Sequence, residues 1–179
     1  IATIPLPYLP QLFEQLPSSL KVLENLENVA VACVILKCKR AISENFWMNV
    51  NDEQMEIPGI IEFSNLNPLK EKIIYIPFYM HRAHSKYQNS DEKFIQESLQ
   101  CLQRVDSSFE KTDLLGSRVF RYQYAQPVCE MGYLDKLPPI KSEIAGLYMV
   151  DTSYYYPEDR SQSESIRLAQ RIVKQIIQE

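Results

Sequence analysis

The sequence predicts an α+β fold, with one mostly antiparallel sheet, helices packed on it, and a separate strand–helix element at the C-terminus. Three observations indicate this fold. Four β-rich segments, 29–36, 46–50, 59–64 and 72–78, are separated by polar turns, a spacing typical of an antiparallel meander. A helical pattern then occupies 90–105. After one more strand, the chain ends in a short apolar strand, a polar turn and an amphipathic helix.

The segments before the sheet are short. Residues 1–4 suit the end of a buried strand that Pro5 and Pro7 terminate, and 10–16 predicts a helical stretch. A second helix is predicted to begin at Pro17, because proline is well tolerated in a first helical turn. Spacings of three place a row of leucines on one face of it: Leu20, Leu23 and Leu26.

The segment 29–36 is almost entirely apolar, which predicts a central strand covered on both faces. Ser90 is predicted to cap the next helix, with acidic residues in its first turn. The residues expected on the buried face of that helix are Phe94, Ile95, Leu99, Leu102 and Val105. Residues 117–126 read as a further strand, ended by Pro127.

The C-terminal element begins with a predicted strand at 147–150. The last helix starts near Ser163 and carries apolar residues at spacings of three and four. These predict a buried face made of Ile166, Ala169, Val173 and Ile176 or Ile177.

Composition limits the classes of function. The length of 179 residues allows one ordinary domain, or one domain and part of another. The four glycines stand alone, so the chain contains no glycine-rich phosphate loop of the Rossmann or P-loop kind. A net charge of −4 without a long basic tract argues against nucleic acid as the main partner.

The cysteines are scattered along the chain, which favours free thiols in a reducing compartment and predicts a cytoplasmic protein. No run of about 20 apolar residues predicts a transmembrane segment. His81 and His84 are interpreted as surface residues, because a zinc site would need a third ligand nearby. We therefore expect no metal site.

The turn before the last helix, residues 151–163, is called here the polar elbow. It contains an acidic pair, an arginine and several hydroxyl groups. The N–H groups at the start of the following helix can receive a partly negative ligand atom. The structural alternative is that Ser161 caps the helix and forms a capping box with Glu164. The two roles are compatible, because they use different N–H groups.

Two aromatic stretches have both a functional and a structural interpretation. Tyr154, Tyr155 and Tyr156 can stack on a planar ring, but such a run more often serves packing. Residues 120–127 alternate bulky and polar groups, so one face can line a cavity. If Arg121 and Gln123 face one side, the tyrosines of this segment face the other. The two-residue periodicity of this segment alone favours an ordinary half-buried strand.

Several segments together resemble a known superfamily. The start Ile-Ala-Thr-Ile-Pro-Leu-Pro, the segments 46–52, 58–65 and 122–127, and the tail from Gly146 to Arg160 followed by 165–168 carry the resemblance. They resemble the flavin-containing amine oxidase-like oxidoreductases, in a bacterial branch similar to protoporphyrinogen oxidase, phytoene desaturase and monoamine oxidase. The order and spacing of the segments carry this inference, rather than any single motif.

The resemblance implies a division of the chain. Residues 5–138 would form a substrate-binding domain, and 143–179 would return to an FAD-binding domain whose N-terminal βαβ part is not in this sequence. FAD would be the cofactor of the full-length protein, with weak binding to this chain alone. The implied cofactor-binding residues are Asp151, Thr152, Ser153, Glu158, Asp159, Arg160, Ser161, Gln162 and Ser163. Asp151-Thr152 stands where the superfamily often has Gly-Asp or Gly-Glu, and Ser161 stands where a glycine is usual.

The implied activity is positioning of a small-molecule substrate for hydride transfer to FAD. Since the flavin performs the chemistry in such enzymes, no catalytic side chain is assigned. The candidates for the substrate cavity are Trp47, Asn49, Tyr124 and Gln126. The chain alone is expected to be inactive, and to pair as a homodimer through the surface meant for the missing domain. The alternative is a non-catalytic ligand-binding or protein-interaction module.

Overall fold

The computed structural model describes residues 1–178. The chain divides into two compact units, one formed by 29–125 and the other by 1–28 together with 126–179. Each unit is described by itself. The domain boundaries predicted at 5–138 and 143–179 stay a prediction.

The sheet has five strands in the order β2-β3-β4-β1-β5. Their bounds are β1 Asn28–Cys38, β2 Trp47–Asn49, β3 Gly59–Glu62, β4 Lys72–His81 and β5 Leu114–Pro127. The pairs β1–β4, β2–β3 and β3–β4 are antiparallel. The predicted α+β class, with a mostly antiparallel sheet, is therefore confirmed.

Two α-helices accompany the sheet, α1 Phe63–Leu66 and α2 Asp91–Val105, with 3₁₀ turns at Ser85–Gln88 and Lys111–Asp113. Ser90 caps α2 as predicted, its Oγ accepting the N–H of Lys93. Most of the predicted α2 face is buried or partly buried against the sheet. Val105 is an exception, because it is the last residue of the helix and lies 44% exposed.

The strand β1 is completely covered on one face and partly covered on the other, so the prediction of a strand covered on both sides holds only in part. Its even-numbered residues from Ala30 to Cys38 are completely buried. They belong to the same core as Phe94 and Leu102 of α2. The odd-numbered residues on the other face, such as Val31 and Ile35, are only half-buried. On this second face, the ring of Phe63 in α1 packs edge-on against Tyr75, which is the β4 partner of Ile35.

In the other unit, the N-terminal segments form 3₁₀ helices at Leu6–Leu12 and Ser18–Asn25. The first of these begins earlier than the predicted 10–16 and has Pro10 inside it, which removes a backbone donor. Leu20 and Leu23 are buried as predicted and Leu26 is partly buried. They share a core with Leu6, Leu9 and Met149.

The predicted strand 147–150 is shorter in the structure. It consists of two isolated bridges, Met149 with Ala2 in parallel and Tyr148 with Lys141 in antiparallel orientation. The parallel contact is made by Ala2 N to Tyr148 O at 2.7 Å and Val150 N to Ala2 O at 3.0 Å. Short helices, α3 Tyr133–Lys136 and the 3₁₀ helix Thr152–Tyr155, flank this region.

The last helix, α4 Gln162–Ile177, buries a face that shares only Ile176 with the predicted one. Leu168 and Ile172 are buried, and Ile176 packs beside them. Ile166 and Val173 are 59% and 48% exposed, and Ala169 and Ile177 are also exposed. The helix carries two apolar stripes. The stripe with Leu168 and Ile172 packs against Val150 and is buried, whereas the stripe with Ile166 and Val173, which periodicity predicted as buried, is exposed. Within residues 1–178, no helix has the length and apolar character needed to cross a bilayer.

Candidate functional site

The face of the sheet opposite α2, called here the open face, is rich in aromatic residues. Registers such as Trp47 opposite Ile61, Ile61 opposite Tyr75 and Ile35 opposite Tyr75 place these side chains on one side, because directly paired residues share a face. On β5, the guanidinium carbon of Arg121 lies 5.4 Å from the ring centroid of Phe94 in α2. Alternation then puts the even residues of β5 on the open face: Arg118, Phe120, Tyr122 and Tyr124.

Trp47 and Asn49, two of the predicted substrate-side residues, are brought together on this face. The indole Nε1 of Trp47 donates a hydrogen bond to Asn49 Oδ1 at 2.7 Å. Both residues lie on the edge strand β2, and Trp47 is 48% exposed. The carbonyl of Met48 and the Trp47 ring leave no room for a side chain at Gly59, where a Cβ would lie 2.7 Å from Met48 O and 3.4 Å from Trp47 Cε2.

Tyr124 and Gln126 lie on β5, which is the opposite edge strand of the sheet. The Tyr124 hydroxyl accepts a hydrogen bond from Arg82 Nη1 at 3.4 Å. Gln126 Oε1 accepts one from Arg160 Nη2 at 3.3 Å. The four predicted substrate residues therefore occupy two edge strands, separated by β3, β4 and β1.

In the polar elbow, Asp151 serves the local fold with both carboxylate oxygens. Oδ2 accepts the N–H of Leu6 at 2.8 Å, and Oδ1 accepts the N–H of Ser153 at 2.9 Å. Ser153 is itself buried, and its carbonyl accepts a hydrogen bond from the Tyr133 hydroxyl. These hydrogen bonds stabilise the first part of the elbow, and the contact of Asp151 and Ser153 with a cofactor stays a prediction.

The second part of the elbow is exposed and leads into the N-terminus of α4. Ser161 is the N-cap, its Oγ accepting the N–H of Glu164 at 3.1 Å. The Glu164 carboxylate pairs with Arg167. Gln162 and Ser163 form the first two helical positions and are exposed, as is Glu158. The exposed first turn of a sixteen-residue helix presents backbone donors and the positive end of the helix dipole.

The three tyrosines of the elbow all have packing roles. Tyr154 donates to the Pro138 carbonyl at 2.9 Å, and burial raises the pKa of its hydroxyl. The Tyr155 hydroxyl is 2.6 Å from Ser165 Oγ, and the Tyr156 ring packs edge-on against Tyr133 with centroids 5.8 Å apart. Beside them, a cavity of about 280 Å³ is lined also by Leu168 and Arg171.

The structure supports the interpretation of the histidines as surface residues. His81 and His84 are exposed, and the Nδ1 atom of each accepts a backbone N–H, from Ala83 and Lys86 respectively. Among residues 1–178, no group of three or more His, Cys, Asp or Glu is arranged to hold a metal ion. The four cysteines are free, and burial raises the pKa of Cys38 and Cys101 to about 11.

Sequence reasoning missed Lys86, which lies in a polar cavity of about 660 Å³. Its ammonium group bonds Glu56 and Glu97 and lies 4.7 Å from the ring centroid of Phe78. Burial acts to lower the pKa of Lys86, but the bonds to both carboxylates outweigh this effect and raise it. No local signal reveals the cluster, because its members are far apart in the chain. The exposed aromatic residues Tyr79 on β4 and Phe120 on β5 were also missed as site candidates. The alternation of bulky and polar residues from 120 to 127 did indicate that one face of β5 could line a cavity.

Comparison with known proteins shows similarity in fold. No family model matches the chain, and no curated protein matches it. Among solved structures, it is similar to a protein from Exiguobacterium sp. 255-15 assigned as a protoporphyrinogen oxidase, with a TM-score of 0.66 and 18% identity over 84% of this chain and 35% of that one. It is also similar to an oxidoreductase from Methanosarcina mazei, with a TM-score of 0.57 and 14% identity over 83% of this chain and 36% of that one.

A third similar structure is reduced UDP-galactopyranose mutase, with a TM-score of 0.56 and 12% identity over 75% of this chain and 31% of that one. The chain thus spans about a third of the length of each of these three structures. At these identities the similarity establishes the fold of the matched region. Two of the three matched proteins are named as oxidases or oxidoreductases.

Proposed function

We propose that this chain is the substrate-binding part, with the C-terminal cofactor-contacting segment, of a flavin-dependent oxidoreductase of the amine oxidase-like superfamily. The observation that carries the proposal is the path of the chain after Met149. From the isolated parallel bridge between Met149 and Ala2, the chain leads through the polar elbow into a helix with an exposed N-terminus. Ligands of α/β proteins commonly bind where a parallel strand leads into a helix.

Two independent observations support this function. The segments that resemble the superfamily lie at both ends and in the middle of the chain. One of the structures with a similar fold is assigned as a protoporphyrinogen oxidase, an activity that the sequence resemblance also includes. The similar structures are about three times as long as the region they share with this chain, which supports a longer flavoprotein as the functional unit.

The residues of the elbow differ in how well they fit FAD. The exposed turn at Ser161, Gln162 and Ser163 suits a partly negative edge of the cofactor, because its N–H groups and the helix dipole carry positive potential. Arg160 can add a charged donor. Asp151 and Ser153 would contribute by fixing the elbow, since their described hydrogen bonds run within the protein. FAD, when bound, would accept a hydride from a C–N or C–C bond of the substrate.

The open face would hold the substrate, with Trp47 and Asn49 at one edge and Tyr124 at the other. Its aromatic side chains provide apolar area with few competing polar groups. No side chain of this face is assigned as an acid, base or nucleophile. The four free thiols support a reducing compartment, and we place the protein in the cytoplasm.

The test is the flavin content of the protein produced from the complete gene. We expect a yellow protein with a flavin absorbance spectrum, and a lower flavin-to-protein ratio in the variant Arg160→Ala. Lys174→Ala removes one positive charge from the last turn of α4, so it is the matched control and should retain the flavin. A colourless product that takes up no added FAD would refute the proposal and favour the non-catalytic module.

A further inference from the structure

We propose that Glu62 is a positioning residue of the proposed substrate site. Its carboxylate lies on the side of the sheet that α2 covers, where it holds the segment 42–46 and thereby fixes Trp47 and Asn49 on the open face. The role of these two residues toward a substrate belongs to the proposed function, so the inference rests on it in that respect. The effect of Glu62 on Trp47 involves only residues 29–125.

The first observation is the burial of a carboxylate at the end of β3. Glu62 is 1% exposed and lies opposite Ile74, on the face of the sheet that forms the core. Among residues 1–178, no basic side chain forms an ion pair with it, and the guanidinium of Arg40 pairs with two aspartates instead. Burial of a carboxylate without a counter-ion costs free energy. The hydrogen bonds of Glu62 must therefore account for its presence here.

The second observation is that the chain before β2 uses both carboxylate oxygens. Oε2 of Glu62 accepts the N–H of Ile42 at 3.0 Å, and Oε1 accepts the Ser43 hydroxyl at 2.6 Å. The backbone of Glu62 adds a third contact, because its N–H donates to the Phe46 carbonyl at 2.8 Å. One residue thus holds the segment at its start and at its end, immediately before Trp47.

The third observation is a second support for the same segment, from α1. The Nδ2 atom of Asn65 donates to the carbonyls of Ser43 and Asn45, at 3.0 Å in each case. Within the segment, Ser43 Oγ accepts the N–H of Asn45 at 3.0 Å. The Ser43 hydroxyl therefore links Glu62 to the turn that leads into β2, so that the loss of the Glu62 bonds reaches the strand.

The strand β2 depends on its flanking segments for its position. It is three residues long and lies at the edge of the sheet, paired with β3, so its own ladder supplies few hydrogen bonds. A slip of one residue against β3 would exchange the two faces of β2 and turn Trp47 and Asn49 away from the open face. Glu62 opposes such a slip, because it holds the preceding segment at fixed points.

The experiment measures the order of Trp47 and its segment in the full chain. Trp47 is the only tryptophan, so the fluorescence reports its surroundings directly. Glu62→Ala removes both acceptors and should increase acrylamide quenching of Trp47 and lower its anisotropy. Hydrogen exchange of the segment 42–50 should accelerate about ten- to a hundredfold, as expected when hydrogen bonds to a charged acceptor are lost.

Two further variants separate positioning from general stability. Glu62→Gln keeps an oxygen for the Ile42 N–H and can donate from its NH₂ group to Ser43 Oγ, so it should restore most of the protection and the Trp47 signals. Ser43→Ala removes one of the two carboxylate contacts and should act in the same direction as Glu62→Ala, to a smaller extent. It provides the answer if Glu62→Ala does not fold.

The matched control is Ser98→Ala. Ser98 is a buried residue of α2 whose hydroxyl donates to the Phe94 carbonyl at 2.8 Å, so its replacement removes a buried hydrogen bond elsewhere in the same unit. We expect a lower Tm, with the quenching of Trp47 and the exchange of 42–50 unchanged under native conditions.

Two results would overturn the inference. Trp47 and the segment 42–50 could keep their wild-type signals in both Glu62→Ala and Ser43→Ala. Alternatively, Ser98→Ala could change these signals as much as Ser43→Ala, which would show general destabilisation. Neither result depends on flavin. A colourless product of the complete gene would instead refute the proposed function and leave the effect of Glu62 on Trp47 in place.

Discussion

The indole Nε1 of Trp47 donates a 2.7 Å hydrogen bond to Oδ1 of Asn49, two residues further along the same edge strand. Residues at i and i+2 of a strand lie on the same face, so this bond fixes the ring against the sheet instead of leaving it free to rotate. An ordered aromatic ring at the edge of the open face is pre-organised for contact with a planar ligand.

Replacing Asn49 by Ala should release the Trp47 ring with little loss of stability. The bond is exposed, so the free energy of unfolding should change by no more than about 0.5 kcal/mol. The Trp47 fluorescence should nevertheless become more accessible to acrylamide and lower in anisotropy. Asn51→Ala, an exposed asparagine just beyond β2, is the control and should leave both signals unchanged. Identical quenching in both variants would show that Asn49 does not hold the ring.

Gly59 is required by the close approach of β2. A Cβ there would lie 2.7 Å from the Met48 carbonyl oxygen, so Gly59→Ala should displace β2 and destabilise the protein by about 1 to 3 kcal/mol. Gly116→Ala is the matched control, because no atom lies within 4 Å of its Cβ position. We expect that variant to be neutral or slightly stabilising, since it restricts the unfolded chain. Equal denaturation midpoints for the two variants would contradict the prediction.

Asp151 joins two separate segments of its unit, because its carboxylate accepts the N–H groups of Leu6 and Ser153. Asp151→Asn retains one acceptor oxygen but places an NH₂ group against the other donor. We expect a loss of about 1 to 2 kcal/mol in the free energy of unfolding, as for a helix cap. Asp159→Asn should cost less, because its described bond is to the adjacent Arg160 N–H. Urea denaturation of the two variants gives the comparison.

The pH dependence of stability should report the cluster around Arg40. Hydrogen bonds from Ser108 and then from Arg40 lower the pKa of Asp106 from 3.8 to about 2. Because the folded pKa lies below the unfolded one, this contribution is complete above pH 3.8 and is lost as the pH falls through about 2. Asp106→Asn should flatten the fall of Tm in this window, whereas Asp135→Asn, exposed in the other unit, should not. A parallel decline in both variants would exclude the role of Asp106.

Adjacent residues of α4 provide a direct test of its buried face. Ile172 is 2% exposed and Val173 is 48% exposed. Ile172→Ala should cost about 2 to 4 kcal/mol by leaving a cavity, and Val173→Ala should stay within about 0.5 kcal/mol. Thermal or urea denaturation measures both. If Val173→Ala were the more damaging variant, the face predicted from periodicity would be the buried one in solution.

Local signals were sufficient to predict much of the fold. The β-rich segments and their polar turns predicted the antiparallel sheet, and Ser90 and Ser161 were predicted as caps because capping depends on residues three positions apart. Trp47 and Asn49 were predicted only as candidates for the substrate cavity, and their common face follows from the alternation of side chains along β2. These features depend on strand alternation or on a single helical turn.

Features that depend on contact between distant segments were not predictable in this way. The sequence by itself determined an α+β chain without a phosphate loop, and a polar elbow before its last helix. The tertiary structure decided which apolar stripe of α4 is buried, because Ile166 and Ile172 are equally apolar and only packing against Val150 and its neighbours distinguishes their faces. The tertiary structure also decided which face of β1 is covered by α2 and which borders exposed aromatic side chains. Because the residues of β1 are almost all apolar, their sequence pattern does not distinguish the two faces.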